Sequence, residues 1–330
     1  MFQITSIFGG EGHKVHKVFV IALLLSISIT VCAEEAPQNR FITLGTAGGP
    51  VASAERSQPA NALVVNENLY LVDAGDGVAG QLSKAGFLLQ DVDGLFISHN
   101  HFDHTGGVLA VLGLRAQVNT TNTLEVYGPP GTRTFIDGLL KSMDPAMKAA
   151  YGMPGPPWQA NIEVIELSHG ATVELEGLVV MVAENSHFLI PEDSDLPEKA
   201  KSLSFRFDLE NRSIVYTGDT GPSEAVVELA KDADLLVIEM MDIDAVLAGV
   251  RNVFPNIPQH QFDGLEWHLR AHHLLPQQVA EIAANAGVSQ VVVTHMAPSI
   301  TDDEMAGHYK DEITRTFDGQ IVIANDLDSF

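Results

Sequence analysis

The chain has 330 residues, 45% of them hydrophobic, with 28 glycines and a formal net charge of −25. That length allows one large or two ordinary domains, and the composition suits a compact α/β protein. So acidic a surface repels nucleic acid and anionic membranes at long range, and no internal repeat or low-complexity tract stands out.

The N-terminus reads as an address rather than as part of the fold. His13-Lys14-Val15-His16-Lys17 is basic, residues 18–31 are apolar but short for a membrane span, and Val31-Cys32-Ala33 offers small residues for cleavage. This is the pattern of a secretory signal peptide over residues 1–33. Its removal after Ala33 leaves a single domain over 34–330, periplasmic or secreted, with no membrane attachment. Cys32 is the only cysteine and leaves with it. A disulfide framework is thereby excluded, and any metal site must be built from His and carboxylates.

The mature chain opens with a strand at 40–45 and a glycine turn, Thr46-Ala47-Gly48-Gly49-Pro50. The turn matches neither phosphate-binding nor dinucleotide-binding glycine patterns, so it reads as a tight turn. Residues 62–65 and 69–72 read as a hairpin. Asp73-Ala74-Gly75-Asp76-Gly77 follows, then a short helix to Phe87. A buried strand at 92–97 leads into Ser98-His99-Asn100-His101-Phe102-Asp103-His104-Thr105-Gly106-Gly107, and a helix begins at Gly107.

Three imidazoles and one carboxylate thus sit on a strand-to-helix turn, where open α/β sheets place their sites. Four such groups crowd one ion but can serve two, His99 and His101 on one, Asp103 and His104 on the other. Asp73 is expected to accept from the far nitrogen of a ligating His and so fix its tautomer. Asp76 suits that role and simple turn chemistry equally.

A strand at 124–127, a helix at 132–143 and the irregular Met153-Pro154-Gly155-Pro156-Pro157 close a first half. A second β-rich run begins at 162–167 and continues with strands at 178–182, 203–207, 213–217, 235–239, 291–294 and 321–324. Helices are expected at 222–231, 276–286 and 305–317. Meandering strands followed by helices occur twice, which reads as one α/β sandwich of two sheets with helices outside. His187, Asp219 and His295 each follow or close a strand, the same address as the His cluster. Asp219 lies in a glycine-flanked turn, where a carboxylate can bridge two metals.

His99-x-His101-x-Asp103-His104, then His187, Asp219 and His295, match in order the metal ligands of metallo-β-lactamase-fold hydrolases, and the chain resembles that superfamily from Phe41 onward. The resemblance implies an αββα sandwich, two mixed β-sheets flanked by helices. Thr43-Leu44-Gly45-Thr46, Tyr216-Thr217-Gly218-Asp219-Thr220 and the stretch Ala233-Asp234-Leu235-Leu236-Val237-Ile238-Glu239 resemble its ribonuclease Z-like branch. That branch implies two Zn²⁺ per chain. His99, His101 and His187 would hold one, Asp103, His104 and His295 the other, with Asp219 bridging. Asp103 then counts with the catalytic residues as well. A His upstream of the last ligand is the branch's acid, and His273 stands at that spacing from His295. Leu275 replaces the expected Thr, and the adjacent His272 leaves the choice between the two histidines open.

Taken whole, the sequence resembles exported bacterial arylsulfatases of that branch most closely. This implies hydrolysis of aryl sulfate esters by a metal-bridging hydroxide, with His273 donating to the departing phenolate. Phe102, Trp267 and the 151–157 loop are candidates for an apolar wall, with core packing the expected role of Phe102. Formylglycine chemistry is excluded, since the mature chain has no Cys and Ser57-Gln58-Pro59-Ala60-Asn61 lacks the required Arg. Export, acidity and the lack of a basic arm disfavour tRNA processing. The expected partner is a small anionic ester, with no nucleic acid, and a homodimer is allowed. The alternatives are a small-molecule phosphodiesterase or lactonase of the same fold and, from another class, a non-catalytic metal-binding protein.

Overall fold

The computed structural model describes residues 39–149, 161–190 and 200–330. The expected signal peptide and the 151–157 loop lie outside the described residues. Among those described, no helix is long and apolar enough to cross a membrane.

The first sheet is built from β1 (Asn39–Gly45), β2 (Ala60–Val65), β3 (Asn68–Ala74), β4 (Val92–Phe96), β5 (Leu124–Gly128), β6 (Ile162–Glu166) and, from the far end of the sequence, β14 (Asp328–Ser329). Their order is β14-β1-β2-β3-β4-β5-β6. The second sheet comprises β7 (Thr172–Leu175), β8 (Leu178–Glu184), β9 (Leu203–Leu209), β10 (Ser213–Tyr216), β11 (Leu235–Met241), β12 (Gln290–Ala297) and β13 (Gln320–Ile323), in the order β13-β12-β11-β10-β9-β8-β7. Both are mixed. β1–β3 and β7–β10 pair antiparallel, while β3–β6 and β10–β13 pair parallel.

Side-chain alternation explains the layering. In β2 and β3, Leu63, Val65, Tyr70 and Val72 face the second sheet, while Ala62, Val64, Leu69 and Leu71 face outward. In β11 and β12, Leu235, Val237 and Val292 face inward, and Leu236, Ile238, Val291 and Val293 outward. Both faces of each strand are apolar, so both need cover. Helices α1 (Val78–Lys84), α2 (Phe102–Thr105), α3 (Val108–Gln117) and α4 (Thr132–Lys148) belong to the first half. Among them, α1, α3 and α4 supply Leu82, Val111 and Ile136 to the outer core of the first sheet. In the second half, α5 (Glu224–Leu229), α8 (Pro276–Ala286) and α9 (Asp303–Ile313) supply Val226, Val279 and Ile313 to the opposite outer core. The result is helices, sheet, sheet, helices.

Some boundaries differ from the expected ones. Residues 162–166 pair with β5 and complete the first sheet rather than open the second. The second sheet starts at β7, whose alternating exposed and half-buried residues hide it in the sequence. Helices α6 (Ile243–Val253) and α7 (Gln259–His272) occupy a stretch with no expected element and form their own small core with Met241.

Candidate metal centre and hydrolytic cleft

The carboxyl ends of β3, β4, β8, β10, β11 and β12 converge, so both sheets deliver side chains to one place. The turn after β4 is pinned from several sides. Ser98 donates to Asp73 through its backbone N and its Oγ, both at 2.7 Å. Gly107 N donates to Ala74 O at 2.8 Å, and Thr105 Oγ1 to His101 O at 2.8 Å. Gly218, at φ 59°, lies so close that a Cβ there would stand 2.7 Å from Ser98 Cβ. Only glycine lets the end of β10 approach the His turn in this way. His295 is itself at φ 46° and is the extra residue where the β11–β12 register shifts between Glu239 and Met240. That local bulge presents its ring to the cluster.

The seven sequence-predicted ligands come together. His99, His101, His187 and Asp219 form one group, and Asp103, His104, Asp219 and His295 a second, with ligand atoms within 4.8 Å of one another in each. Asp219 belongs to both.

The tautomers follow from the outer hydrogen bonds. His104 donates from Nδ1 to Asp73 Oδ2 at 2.7 Å, the contact expected of Asp73, and His187 donates from Nδ1 to the carbonyl of His272 at 3.1 Å. Ser98 Oγ already donates to Asp73, so it accepts from His99 Nδ1 at 3.0 Å. In each ring Nε2 is left with its lone pair toward the cluster. Asp76 is exposed.

These residues fit divalent cations. His99 Nε2, His104 Nε2 and Asp219 Oδ1 are buried without hydrogen-bond partners, and His187 Nε2 faces His101 Nδ1 at 3.2 Å. Buried polar atoms left unpartnered and aimed at each other call for a shared positive charge. Burial, aided by the neighbouring His104, holds His99 well below the ordinary imidazole value. Burial also lowers His101 and takes His187 to about 3, so these rings are neutral and can ligate. Burial pushes His104 and His295 down too, but Asp219 together with Asp73 for the one and Asp103 for the other outweighs it and raises both. Against the cost of burial, His295 and His104 hold Asp103 at about 2 and Asp219 well below the carboxylate range. The carboxylates therefore draw positive charge inward, which a cation supplies as readily as a proton.

A cleft of about 390 Å³ opens onto the cluster. Of the two adjacent histidines, His273 lines it. His272 turns away, with Nε2 toward Leu189 O at 2.7 Å and Nδ1 toward His268 at 2.8 Å. His273 donates from Nδ1 to both oxygens of Glu239 at 3.0 and 3.1 Å. Burial pushes His273 down, yet the Glu239 carboxylate prevails and sets it at about 9.

Glu239 was not among the predicted site residues. Its signal was a carboxylate inside a strand buried at all seven positions. His268, lowered to about 4 by burial and by His272, also lines the cleft and was missed along with its helix, α7. Phe102 was expected in the core but is 85% exposed on the cleft, flanked by two ligands that need their backbone there. Trp267 packs edge-on against His272 and is not part of the cleft lining.

A family model described as a beta-lactamase superfamily domain matches residues 68–296, more than half of the chain. The chain belongs to this superfamily. Within it, ribonuclease Z of Mycobacterium marinum is 28% identical over 293 residues, covering 87% of this chain and 96% of its own. Ribonuclease Z of Brevibacillus brevis is 28% identical over 275 residues, covering 71% and 77%. Among solved structures, the superfamily protein YhfI of Bacillus subtilis superposes with a TM-score of 0.63 at 17% identity, covering 88% of this chain and 98% of its own. The short form of human tRNase Z superposes with a TM-score of 0.60 at 21% identity over the same shares. These likenesses carry the fold.

Two expectations are corrected. The arylsulfatase reading gives way, because the relatives that match across most of the chain are ribonucleases Z. It rested on overall resemblance, and none of the site residues distinguishes sulfur from phosphorus. The exclusion of nucleic acid is overturned by the same relatives, which are named as ribonucleases. Net charge belongs to the whole surface, whereas the potential in a cleft is set by groups within about a Debye length of it, ~8–10 Å.

Proposed function

We propose that the chain is a phosphodiesterase of the ribonuclease Z kind, cleaving phosphodiester bonds of RNA with two divalent cations. The observation that carries this reading is the pair of ligand groups sharing Asp219 in one cleft with the His273–Glu239 pair. Relatives over 87% of the chain supply the bond type. His99, His101 and His187 would hold one cation, Asp103, His104 and His295 the other, and Asp219 both. A nitrogen-rich donor set with carboxylates and no sulfur suits zinc. When bound, such ions neutralise the oxygens of a phosphodiester and acidify water.

The chain's own groups do the rest. Asp73 holds His104 in the tautomer that offers Nε2, and Ser98 does so for His99. Glu239 fixes the Nδ1 proton of His273, which leaves Nε2–H to donate to the departing oxygen. The buried carboxylate also keeps that ring protonated at neutral pH, so the proton is in place before the bond breaks.

The zinc-loaded protein is expected to hydrolyse bis(4-nitrophenyl) phosphate and an RNA stem with a 3′ extension, and to leave 4-nitrophenyl phosphate largely intact. His273→Ala should lower the turnover of both diesters by roughly 10²–10⁴-fold, the usual weight of a general acid. Turnover of the monoester alone would reject the proposal.

A further inference from the structure

We infer that Phe102 is a stacking platform for a nucleobase of the substrate, and that the cleft selects a nucleoside beside the cleaved phosphate by its flat ring. This rests on the phosphodiesterase reading and names what that site recognises.

Phe102 opens α2 between His101 and Asp103, and the residue is 85% exposed. Single exposed apolar side chains are ordinary, but this one lies on the cleft together with Met241, Leu265, Leu269 and Pro50. Its backbone is held on both sides. His104 N donates to His101 O at 3.2 Å, and Gly106 N to Phe102 O at 2.7 Å. The ring is therefore presented from a fixed base, and little backbone freedom is lost when a ligand settles on it.

The charges around the cleft favour the same ligand. Among the described residues, no Lys or Arg lines the cleft. Arg56 spends its guanidinium on Thr46, Ile300 O, Ala324 O and Asn325, and Arg270 on Asp244 and Glu266. Once the scissile phosphate is placed at the ligand groups and His273, the cleft offers further phosphates no cationic side chain. Beside Gln58 and the ring of His268, what remains for recognition is apolar and aromatic. At about 390 Å³ the space takes a nucleoside beside the cleaved phosphate, with the rest of an RNA lying outside it. Stacking on an aromatic ring suits any base, because every base has a π-face.

The test compares adenosine 5′-monophosphate with ribose 5-phosphate, which share the phosphate and the sugar. Calorimetry on the zinc-loaded protein is expected to show the nucleotide binding about 10- to 100-fold more tightly, the usual worth of one stacked base. That preference should vanish in Phe102→Ala and persist in Phe102→Trp. The ring is exposed, so its truncation opens no cavity, and the Trp variant reports on the platform independently. Equal binding of the two ligands by the wild-type protein would overturn the inference, as would a preference that survives in Phe102→Ala. Failure of the phosphodiesterase reading shows separately, as no turnover of diesters while the nucleotide preference stands.

Discussion

Asp73 holds the site together without being one of its ligands. It is wholly buried and accepts from Ser98 N, Ser98 Oγ, His104 Nδ1 and Tyr216 Oη, all at 2.7 Å. Asp73→Ala strands those donors in the interior, at about 1–3 kcal/mol for each that finds no substitute. A total loss of roughly 3–5 kcal/mol is expected in urea unfolding, with tenfold to hundredfold weaker zinc binding, because the tautomer of His104 is no longer fixed. A loss below about 1 kcal/mol would show that the four donors re-pair locally. At this scale the sequence was most legible where chemistry is concentrated. A turn with three imidazoles and a carboxylate has few other uses, and His187, Asp219 and His295 shared its position at strand ends. Glu239 was hidden for the opposite reason. Its role exists only through His273 and the Thr220 N–H, which other elements bring to it.

Among the elements, β3 shows what the inner layer does to an ionisable side chain. Tyr70 faces the space between the sheets, edge-on to Phe96 with ring centroids 6.0 Å apart. Burial, with help from Asp93, Glu125 and Glu176, pushes its phenol up to about 12. The unfolded chain releases the same proton near pH 10. The folded state holds it more tightly, so the stabilisation is complete below about pH 10 and drains away as pH rises towards 12. Urea midpoints at about pH 9 and pH 11 should therefore separate widely in the wild-type protein and less in Tyr70→Phe. An identical separation in both would remove Tyr70 from the account. Strands with apolar residues on both faces could be read directly. β7 could not, because an edge strand half in water looks like a loop. The helix α7 places Phe262, Leu265 and Leu269 on one face, yet its polar majority masked that stripe.

For the whole molecule, the ligand set spans the sandwich. His99, His101, Asp103 and His104 come from the first sheet, and His187, Asp219 and His295 from the second. Cations held there would tie the two sheets at one end, and since only folding gathers these ligands they would favour the folded state. Removing them with a chelator is expected to lower the melting temperature by roughly 5–10 °C, recoverable by zinc in a concentration-dependent way. Equal melting of chelated and zinc-loaded protein would count against the dinuclear reading. The two-layer architecture was legible as a doubled pattern of strands and helices. The point of division was not, since nothing local in 162–166 tells which sheet the strand will join. The substrate was read least well, because overall charge spoke for the entire surface and not for one cleft.

The short pairing of β14 with β1 has a kinetic side. Phe41 and Phe330 exchange backbone hydrogen bonds of 3.0 and 2.9 Å across a separation of roughly 290 residues. Contacts so distant form late, when most other loops have already closed. Until then the rim of the first sheet is an open row of donors and acceptors, able to recruit any extended chain nearby. Those last residues therefore act as a seal against self-association, and the interval before they dock is when a newly made molecule is most exposed to clumping.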